Sequence, residues 1–216
     1  MRIQLVTQMW PSPENPDLGS FLVPLVAEFE RRGHEVEVSA ISRRGGAPTK
    51  YGRLVGRSIA TARRFRPDVV FAHFLFPAGA AGAAAALAGR CPLVVMAHGT
   101  DVANLTEIRG IRAATVPVIS RSAAVISNSR WLADRLASSI PAAAPKISIA
   151  DCGIDLEAFV PAAAGPARER LGWDGQGPAF LCVGSLIERK NVAALAYAFA
   201  ALGRGRRAFV GDGPLR

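Results

Sequence analysis

A histidine and an aspartate stand three residues apart in the segment VVMAHGTDV, after a run of apolar residues. The run predicts a buried strand over 92–98, so His98 and Asp101 follow its carboxyl end. Ligands of open α/β sheets bind outside the carboxyl ends of the strands. His98 can donate a hydrogen bond or titrate near neutral pH, and Asp101 can orient a neighbour or accept from a hydroxyl. We take both as candidate catalytic residues; the alternative is that His98 merely ends a strand.

A second histidine, His73 in the segment FAHFLFP, occupies the equivalent position after a strand predicted at 68–73. The carboxyl ends of parallel strands lie at one edge of a sheet. We therefore expect His73 and His98 to share one cleft.

Two glycines are candidates for binding a phosphorylated ligand. Gly19, in the loop WPSPENPDLGSF, stands where a helix is predicted over 20–32. A glycine there lets a phosphate approach the N–H groups at the positive end of the helix, although it also suits an ordinary surface turn. Gly184 ends a further predicted strand in VGSLIERKN, where Arg189 and Lys190 follow. Such cations can neutralise a diphosphate but are also common in the first turn of any helix.

The chain is basic, with 26 Lys and Arg against 17 Asp and Glu. Residues 43–66 hold eight of the basic residues and no acidic one. This segment predicts either a solvated helix face or a surface for an anionic membrane or a phosphate-bearing acceptor. Aromatic residues are not interleaved with the charges, which disfavours a nucleic-acid groove.

Short apolar runs alternate with longer segments of helical periodicity along the first 150 residues. This alternation predicts an α/β fold with a doubly wound, Rossmann-like parallel sheet. The strands are predicted at 3–8, 35–41, 68–73, 92–98, 123–129 and 146–150, and the helices at 20–32, 51–66, 78–89, 106–121 and 130–139.

After residue 150 the sequence becomes rich in Gly, Pro and Asp, which is typical of a linker. The segments AFLCVGSL, RKNVAALAYAFAAL and RAFVG then predict one more βαβ unit. A lone βαβ unit cannot bury both faces of its sheet. The expected domains are a complete one over 1–160, a linker over 161–177, and the start of an incomplete second Rossmann-like domain over 178–216.

Composition disfavours several classes of protein. The three cysteines are far apart and lack metal-ligand spacing, so we expect no metal site and a reducing, cytoplasmic setting. The amino terminus has too short an apolar run for a secretory signal. The first strand leads into PSPENPDLGSF instead of a GxGxxG turn, which disfavours a nicotinamide dehydrogenase.

Taken in order, several stretches resemble the family 4 retaining glycosyltransferases, specifically the bacterial members of polysaccharide and teichuronic-acid type. No one motif is decisive, but their order and spacing are specific, and they run over nearly the whole chain. The stretches are NPDLGSFLVPLVAEFERRGHEVEV, HFLFPAGAAGAAAA, PLVVMAHGTDV, SAAVISNSRWLADRL, KISIADCGIDLEAFVP, VGSLIERKNV and VGDGPL.

The resemblance implies a GT-B fold, in which two Rossmann-like domains face a cleft and the carboxy-terminal one binds a nucleotide-sugar. It implies that His98 lies near the reacting sugar and that Gly19 approaches the donor diphosphate. Lys190, supported by Gly184, would neutralise the leaving diphosphate. The implied reaction moves a hexose from a UDP- or GDP-sugar to a cell-envelope polysaccharide or lipid-linked acceptor, without metal or cofactor. The expected location is the cytoplasm or the inner face of the plasma membrane.

Two departures from the family pattern limit the expectation. Ser185 stands where members commonly have arginine, so one diphosphate cation is missing unless Arg189 substitutes for it. The family's Glu-(seven residues)-Glu segment, which holds the donor, does not occur after GDGP. We therefore expect this chain to be inactive alone. The alternative is a non-catalytic acceptor-binding domain or split subunit that works with a separate carboxy-terminal domain.

Overall fold

The computed structural model describes residues 1–173 and 177–216. They form two compact units, Met1–Ile154 and Asp155–Arg216. Residues 174–176, within the predicted linker 161–177, lie outside the described residues. The expected boundaries, with the first domain ending at 160 and the second beginning at 178, stay predictions.

The first unit is built on a six-stranded sheet whose strands are all parallel. Every strand expected from the sequence of this unit is present, within two residues of its predicted ends. The order across the sheet is β2-β1-β3-β4-β5-β6. The strands are β1 Arg2–Thr7, β2 Glu35–Ala40, β3 Val69–His73, β4 Leu93–Ala97, β5 Ala124–Ser127 and β6 Ile147–Ile149.

Helices connect these strands, so the predicted doubly wound α/β architecture is confirmed. One expectation was wrong: the helix predicted over 106–121 begins only at Ile111, and a separate helix, Thr100–Glu107, precedes it. The chain turns extended at Ile108, with φ −114° and ψ 118°, and this ends the earlier helix. The helices are α1 Leu22–Arg31, α2 Thr49–Phe65, α3 Ala78–Gly89, α4 Thr100–Glu107, α5 Ile111–Arg121 and α6 Arg130–Ser139, followed by a short 3-10 helix, Pro141–Lys146.

The two faces of the sheet are covered unequally. Helix α1 packs Leu25 and Phe29 on one face, against a small cluster that contains Phe71 and Met96. The larger core lies on the other face. It receives one or more buried side chains from each of the other five helices, among them Leu54, Ala81, Val102, Ile119 and Leu132.

Helix α3 consists almost wholly of alanine and glycine because it lies very close to the sheet and to helix α5. A Cβ atom added to Gly82 would come within 2.8 Å of the Ala72 Cβ, and one added to Gly79 within 2.9 Å of Val118 Cγ1. Close packing, and not contact with lipid, accounts for the apolar stretch around it. No helix in the described ranges is long and apolar enough to cross a membrane.

The second unit has two parallel strands, β7 Ala179–Val183 and β8 Arg206–Val210. Helix α7 spans Ala164–Arg170, and helix α8, Val192–Leu202, connects the two strands after a short 3-10 helix, Glu188–Lys190. This is the βαβ unit that the sequence predicted. One sheet face packs Phe180 and Phe209 near Phe199 of α8.

Candidate functional site

His73 and His98 meet at the carboxyl edge of the first unit's sheet. The Nδ1 atom of His73 lies 3.0 Å from the Nε2 atom of His98. His73 is the last residue of β3, and His98 follows β4, its neighbour in the sheet. The loop after β1 also reaches this edge, because β1 is the other neighbour of β3. After β1 the chain continues to β2 on one side of the sheet, and after β3 it continues to β4 on the other. The space between the carboxyl ends of β1 and β3 is therefore the topological switch point, where ligands of such sheets bind. The two histidines therefore lie together, as expected from their strand-end positions, and their sharing of one ligand cleft stays a prediction.

Aromatic rings enclose the histidine pair. The ring centroid of Phe74 lies 4.4 Å from that of His98, and the centroid of Phe71 lies 4.4 Å from that of His73. Phe21 stands over both, at 5.3 Å from His98 and 6.4 Å from His73. Phe21 is 40% exposed, whereas His73 is only 1% exposed. The pair is thus shielded from water but reachable from the side of Phe21.

Burial keeps both imidazoles neutral at physiological pH. Removal from water, together with the neighbouring His98, lowers the pKa of His73 to about 3. The same loss of hydration lowers the pKa of His98 to about 4. A neutral imidazole has one N–H donor and one acceptor nitrogen, so the pair can orient a hydroxyl without carrying charge.

The hydrogen-bond pattern favours one arrangement of the protons. The Nε2 atom of His73 is buried and has no partner in the described structure. An unpaired buried donor is rarer than an unpaired buried acceptor. We therefore assign the proton of His73 to Nδ1, from which it is donated to Nε2 of His98. His98 then carries its own proton on Nδ1, where it can be donated to a ligand oxygen.

Asp101 fixes the backbone around the pair. Its carboxylate accepts hydrogen bonds from the backbone N–H groups of Leu75 at 2.9 Å, His98 at 2.8 Å and Val102 at 3.0 Å. Burial raises the pKa of Asp101, while these three donors oppose that rise. Asp101 therefore ties the loop after β3 to the loop after β4. Of the two roles the sequence left open, this geometry favours the orientation of a neighbour.

Gly19 lies where the sequence placed it, just before α1. Its φ of +69° is one that side chains disfavour, and an added Cβ would come within 2.5 Å of the Met9 carbonyl oxygen. Its own carbonyl accepts the N–H of Leu22 at 2.9 Å. The need for glycine is therefore met by packing within the β1–α1 loop, and contact with a diphosphate stays a prediction.

A cavity of about 170 Å³ opens beside His73 within the first unit. Met96 and Ile126 form its floor on the sheet, and Phe21 and Leu25 of the α1 region form one wall. The segment 150–153 lines the rest. Its walls are mainly apolar, which suits the weakly polar face of a sugar ring better than a phosphate.

The two candidate cations of the second unit are exposed instead. Arg189 and Lys190 lie in the 3-10 helix after β7, with both side chains open to solvent. Gly184 faces Gly211 across the two strand-end loops, where the N–H of Gly184 donates to Val210 O at 2.9 Å. A Cβ on Gly211 would overlap the carbonyl oxygen of Gly184. Close packing against Gly184 therefore explains why glycine stands at position 211 of the GDG turn.

Sequence analysis singled out none of the three phenylalanines that enclose the pair. Phe74 has φ +82°, which is uncommon for a bulky residue and costs on the order of 1–3 kcal/mol. Nothing in the sequence marks this conformation. Phe21 follows the predicted loop glycine closely enough that its place at the site could have been proposed. No group of three or more potential metal ligands occurs among residues 1–173 and 177–216.

Comparisons with known proteins agree with this architecture. The family model for Glycosyltransferase Family 4 matches residues 18–158. The putative teichuronic acid biosynthesis glycosyltransferase TuaC of Bacillus subtilis strain 168 is 25% identical over 267 aligned positions, which cover 100% of this chain and 67% of TuaC.

Solved structures show the same fold. Anabaena HepE, in complex with UDP and glucose, superposes with a TM-score of 0.70 at 19% identity, over 98% of this chain and 61% of that one. The UDP-GlcNAc 2-epimerase of Methanocaldococcus jannaschii gives 0.55 at 10% identity, over 97% of this chain and 65% of that one. The chain thus spans about three fifths of the length of HepE. Because the family model matches well over half of the sequence, this chain belongs to Glycosyltransferase Family 4.

Proposed function

We propose that the protein transfers a hexose from a nucleoside diphosphate sugar to a cell-envelope polysaccharide or lipid-linked acceptor, with retention at the anomeric carbon. The observation that carries the proposal is the neutral, enclosed His73–His98 pair at the switch point of a Family 4 sheet. The name of TuaC supports an acceptor of the cell envelope. The crystal structure of HepE with UDP-glucose supports a nucleotide-sugar as donor.

His98 is proposed to bind the sugar that is transferred. With its proton on Nδ1, it donates to a sugar hydroxyl, and the apolar rings around it exclude water and strengthen that bond. Asp101 and His73 are proposed as positioning residues, which act by holding His98 in place.

Gly19, Gly184, Arg189 and Lys190 are proposed to bind the diphosphate of the donor. The bond from the anomeric carbon to the diphosphate oxygen breaks during transfer, and negative charge builds up on the departing group. The cations of Arg189 and Lys190 stabilise that charge electrostatically. On this proposal transfer needs no metal ion, so activity should withstand a chelator.

The acceptor is proposed to meet the basic residues within 43–66. A lipid-linked acceptor would place the protein at the inner face of the plasma membrane. Each basic residue close to an anionic surface adds roughly 1 kcal/mol of attraction.

A second candidate function is that of an acceptor-side subunit that needs a separate carboxy-terminal domain. It is favoured by the second unit, where Leu181 and Val183 of β7 are 64% and 69% exposed. An apolar strand face of this kind suits burial by further protein, which the acceptor-side candidate requires.

Isothermal titration with UDP-glucose and GDP-mannose tests both candidates. A self-sufficient enzyme binds a donor and transfers the sugar to a lipid-linked acceptor, with the anomeric configuration of the product read by NMR. An acceptor-side subunit binds no donor until a complete carboxy-terminal domain is added. Failure of donor binding under both conditions would overturn the proposed activity.

A further inference from the structure

A second cavity lies at the same edge of the sheet as the histidine pair. Its volume is about 400 Å³, in the range of small-molecule sites. It opens between the loop after β1, the end of β2 and the amino-terminal half of α2. The charged and hydroxyl groups that line it include Ser12, Glu14, Arg43, Lys50, Arg53 and Arg57.

Four cations converge on this cavity, which we name the basic pocket. Lys50, Arg53 and Arg57 recur at helical spacing on α2 and so share one face of it, and Arg43 comes from the loop after β2. None of the four has a carboxylate partner in the part of the chain that the structure describes. Glu14 is the acidic side chain of the lining, and Ser12 Oγ donates to it at 3.2 Å.

Two of these cations are held in place by backbone carbonyl groups. Lys50 Nζ donates to Arg44 O at 2.7 Å and to Gly45 O at 3.1 Å. An Arg57 guanidinium nitrogen donates to Ala40 O at 3.2 Å. Carbonyls fix the positions of these groups without cancelling their charge, so donor capacity remains for an anion.

Other arginines of the same segment are neutralised. Arg44 pairs with Asp17, whose pKa it lowers, and Arg64 pairs with Glu37 across to β2. The basic excess of 43–66 is therefore concentrated in the pocket and is not spread evenly along the segment.

Strand register places the basic pocket near the histidines. Thr7 of β1 pairs with Ala40 on one side and with His73 on the other. Neighbouring strands are about 4.8 Å apart, so the backbone at Ala40 lies roughly 10 Å from that at His73. Ala40 lines the pocket, and His73 Nδ1 contacts His98. A ligand that bridged the two sites would have to extend over this edge of the sheet for about that distance.

We propose that the basic pocket binds a phosphate or diphosphate group of the acceptor and so holds the acceptor's reacting hydroxyl near His98. The assignment to the acceptor rests on the proposed transferase function, whereas anion binding in the pocket does not. Guanidinium groups match phosphate oxygens in pairs, and the 400 Å³ volume accommodates a diphosphate. A concave site with fixed cations distinguishes this proposal from diffuse attraction to a membrane.

Titration of the 216-residue chain with inorganic pyrophosphate, followed by calorimetry at two salt concentrations, tests the pocket. Arg53→Ala should weaken binding at least fivefold. The matched control is Arg63→Ala, which removes the same charge from an exposed position of α2 outside the pocket lining. Equal weakening by both variants would mean that binding follows net charge, and would overturn the proposal.

A third variant separates the pocket from the proposed donor site. Lys190→Ala can remove pyrophosphate binding at the proposed donor site but should leave the part of the binding that depends on Arg53 unchanged. If Lys190→Ala abolishes binding and Arg53→Ala does not, the donor-side proposal stands and the pocket proposal fails. If Arg53→Ala alone weakens binding, the pocket stands even where no sugar transfer is detected.

Vesicles identify the source of the phosphate. Vesicles of phosphatidylcholine alone are compared with vesicles that also contain phosphatidylglycerol. Binding to the anionic vesicles that is lost in Arg53→Ala and displaced by pyrophosphate supports a lipid-borne phosphate. Binding of pyrophosphate without binding of vesicles supports a phosphate carried by a soluble or polymeric acceptor. Vesicle binding that Arg63→Ala reduces as much as Arg53→Ala contradicts a discrete pocket.

Discussion

Two loops that follow strand-end positions carry the candidate residues, and they differ in almost every physical respect. In the first unit, the loop after β4 leads into α4, where Asp101 is 4% exposed and accepts from three backbone donors. In the second unit, the loop after β7 leaves Arg189 and Lys190 exposed. The first loop keeps His98 neutral, whereas the second presents basic side chains to solvent.

This difference corresponds to the two parts of the proposed donor. A sugar is neutral and is recognised by fixed donors and acceptors, for which burial strengthens each hydrogen bond. A diphosphate is strongly charged and well hydrated, and cations at the protein surface can bind it without the full desolvation cost of a buried ion pair. Position after a strand therefore locates a site, but burial decides which chemistry the site performs.

The largest effect on stability is expected at Asp101, the buried acidic residue in the first turn of α4. Asp101→Ala leaves three backbone N–H groups without an acceptor in a buried setting. Each such group costs about 1–3 kcal/mol, so the free energy of unfolding should fall by roughly 3 kcal/mol or more. Urea denaturation followed by circular dichroism measures this. Glu188→Ala, an exposed acidic residue of the other loop, is the control and should change stability by less than about 0.5 kcal/mol.

His98→Ala should separate turnover from donor binding in a protein that carries a complete second domain. Loss of a preorganised donor at the reacting sugar is expected to lower turnover by roughly 100-fold. The affinity for the nucleotide alone should stay within about threefold of wild type, because the nucleotide is not bound by this loop. Steady-state kinetics and nucleotide titration provide the two values. Equal losses in both would remove His98 from the sugar.

The sequence predicted those features of the site that follow from strand topology, and it did not predict those that depend on tertiary packing. The strand-end rule placed His73 and His98 together because parallel strands share one edge. The direction of the Asp101 side chain depends on tertiary packing of Leu75, 26 residues away, and no local pattern encodes it. No local sequence pattern indicates the left-handed backbone conformation of Phe74 either, because bulky residues seldom adopt it.

The helices were likewise predicted well where local periodicity decides them and poorly where tertiary contacts do. Strongly periodic segments such as α2 were predicted within two residues of their ends, because their apolar spacing is long and regular. Helix α4 was missed over its first turns because TDVANLTE is short and polar, and its start depends on the turn at Gly99. The basic excess of 43–66 was visible in the sequence. Which arginines are neutralised was not, since Arg44 pairs with Asp17 from a distant loop.

Lys190→Ala tests the exposed side of the comparison. It should raise the KM for the nucleotide-sugar roughly tenfold, since it removes one charge-assisted contact to the diphosphate. High salt should shrink the difference between variant and wild type, because exposed charges are screened. Kinetics at low and high ionic strength measure both effects. Unchanged kinetics at low salt would assign the contact to Arg189 or to another group.

The pH dependence of stability tests the buried side. The native pKa values of about 3 for His73 and about 4 for His98 lie below the unfolded value near 6.5. Between these values the unfolded chain binds protons that the native protein does not. The free energy of unfolding is therefore fully retained above pH 6.5 and falls as the pH drops towards 4, by about 1 kcal/mol per pH unit for each histidine. His73→Gln should show a shallower slope in urea titrations at several pH values; an identical slope would mean that His73 titrates as if exposed.

The smallest effect is expected on the exposed sheet face of the second unit. Among the described residues, the buried hydrophobic side chains lie mostly in the first unit, with Leu186 and Val192 as the second unit's share. Leu181→Ser, at a position 64% exposed, should therefore change the unfolding free energy by less than about 0.5 kcal/mol. Val95→Ala, fully buried in β4, should cost about 1–3 kcal/mol in the same assay. If Leu181→Ser destabilises the protein as much as Val95→Ala, this sheet face is already covered in solution. Sedimentation would then show whether a second copy or another chain covers it.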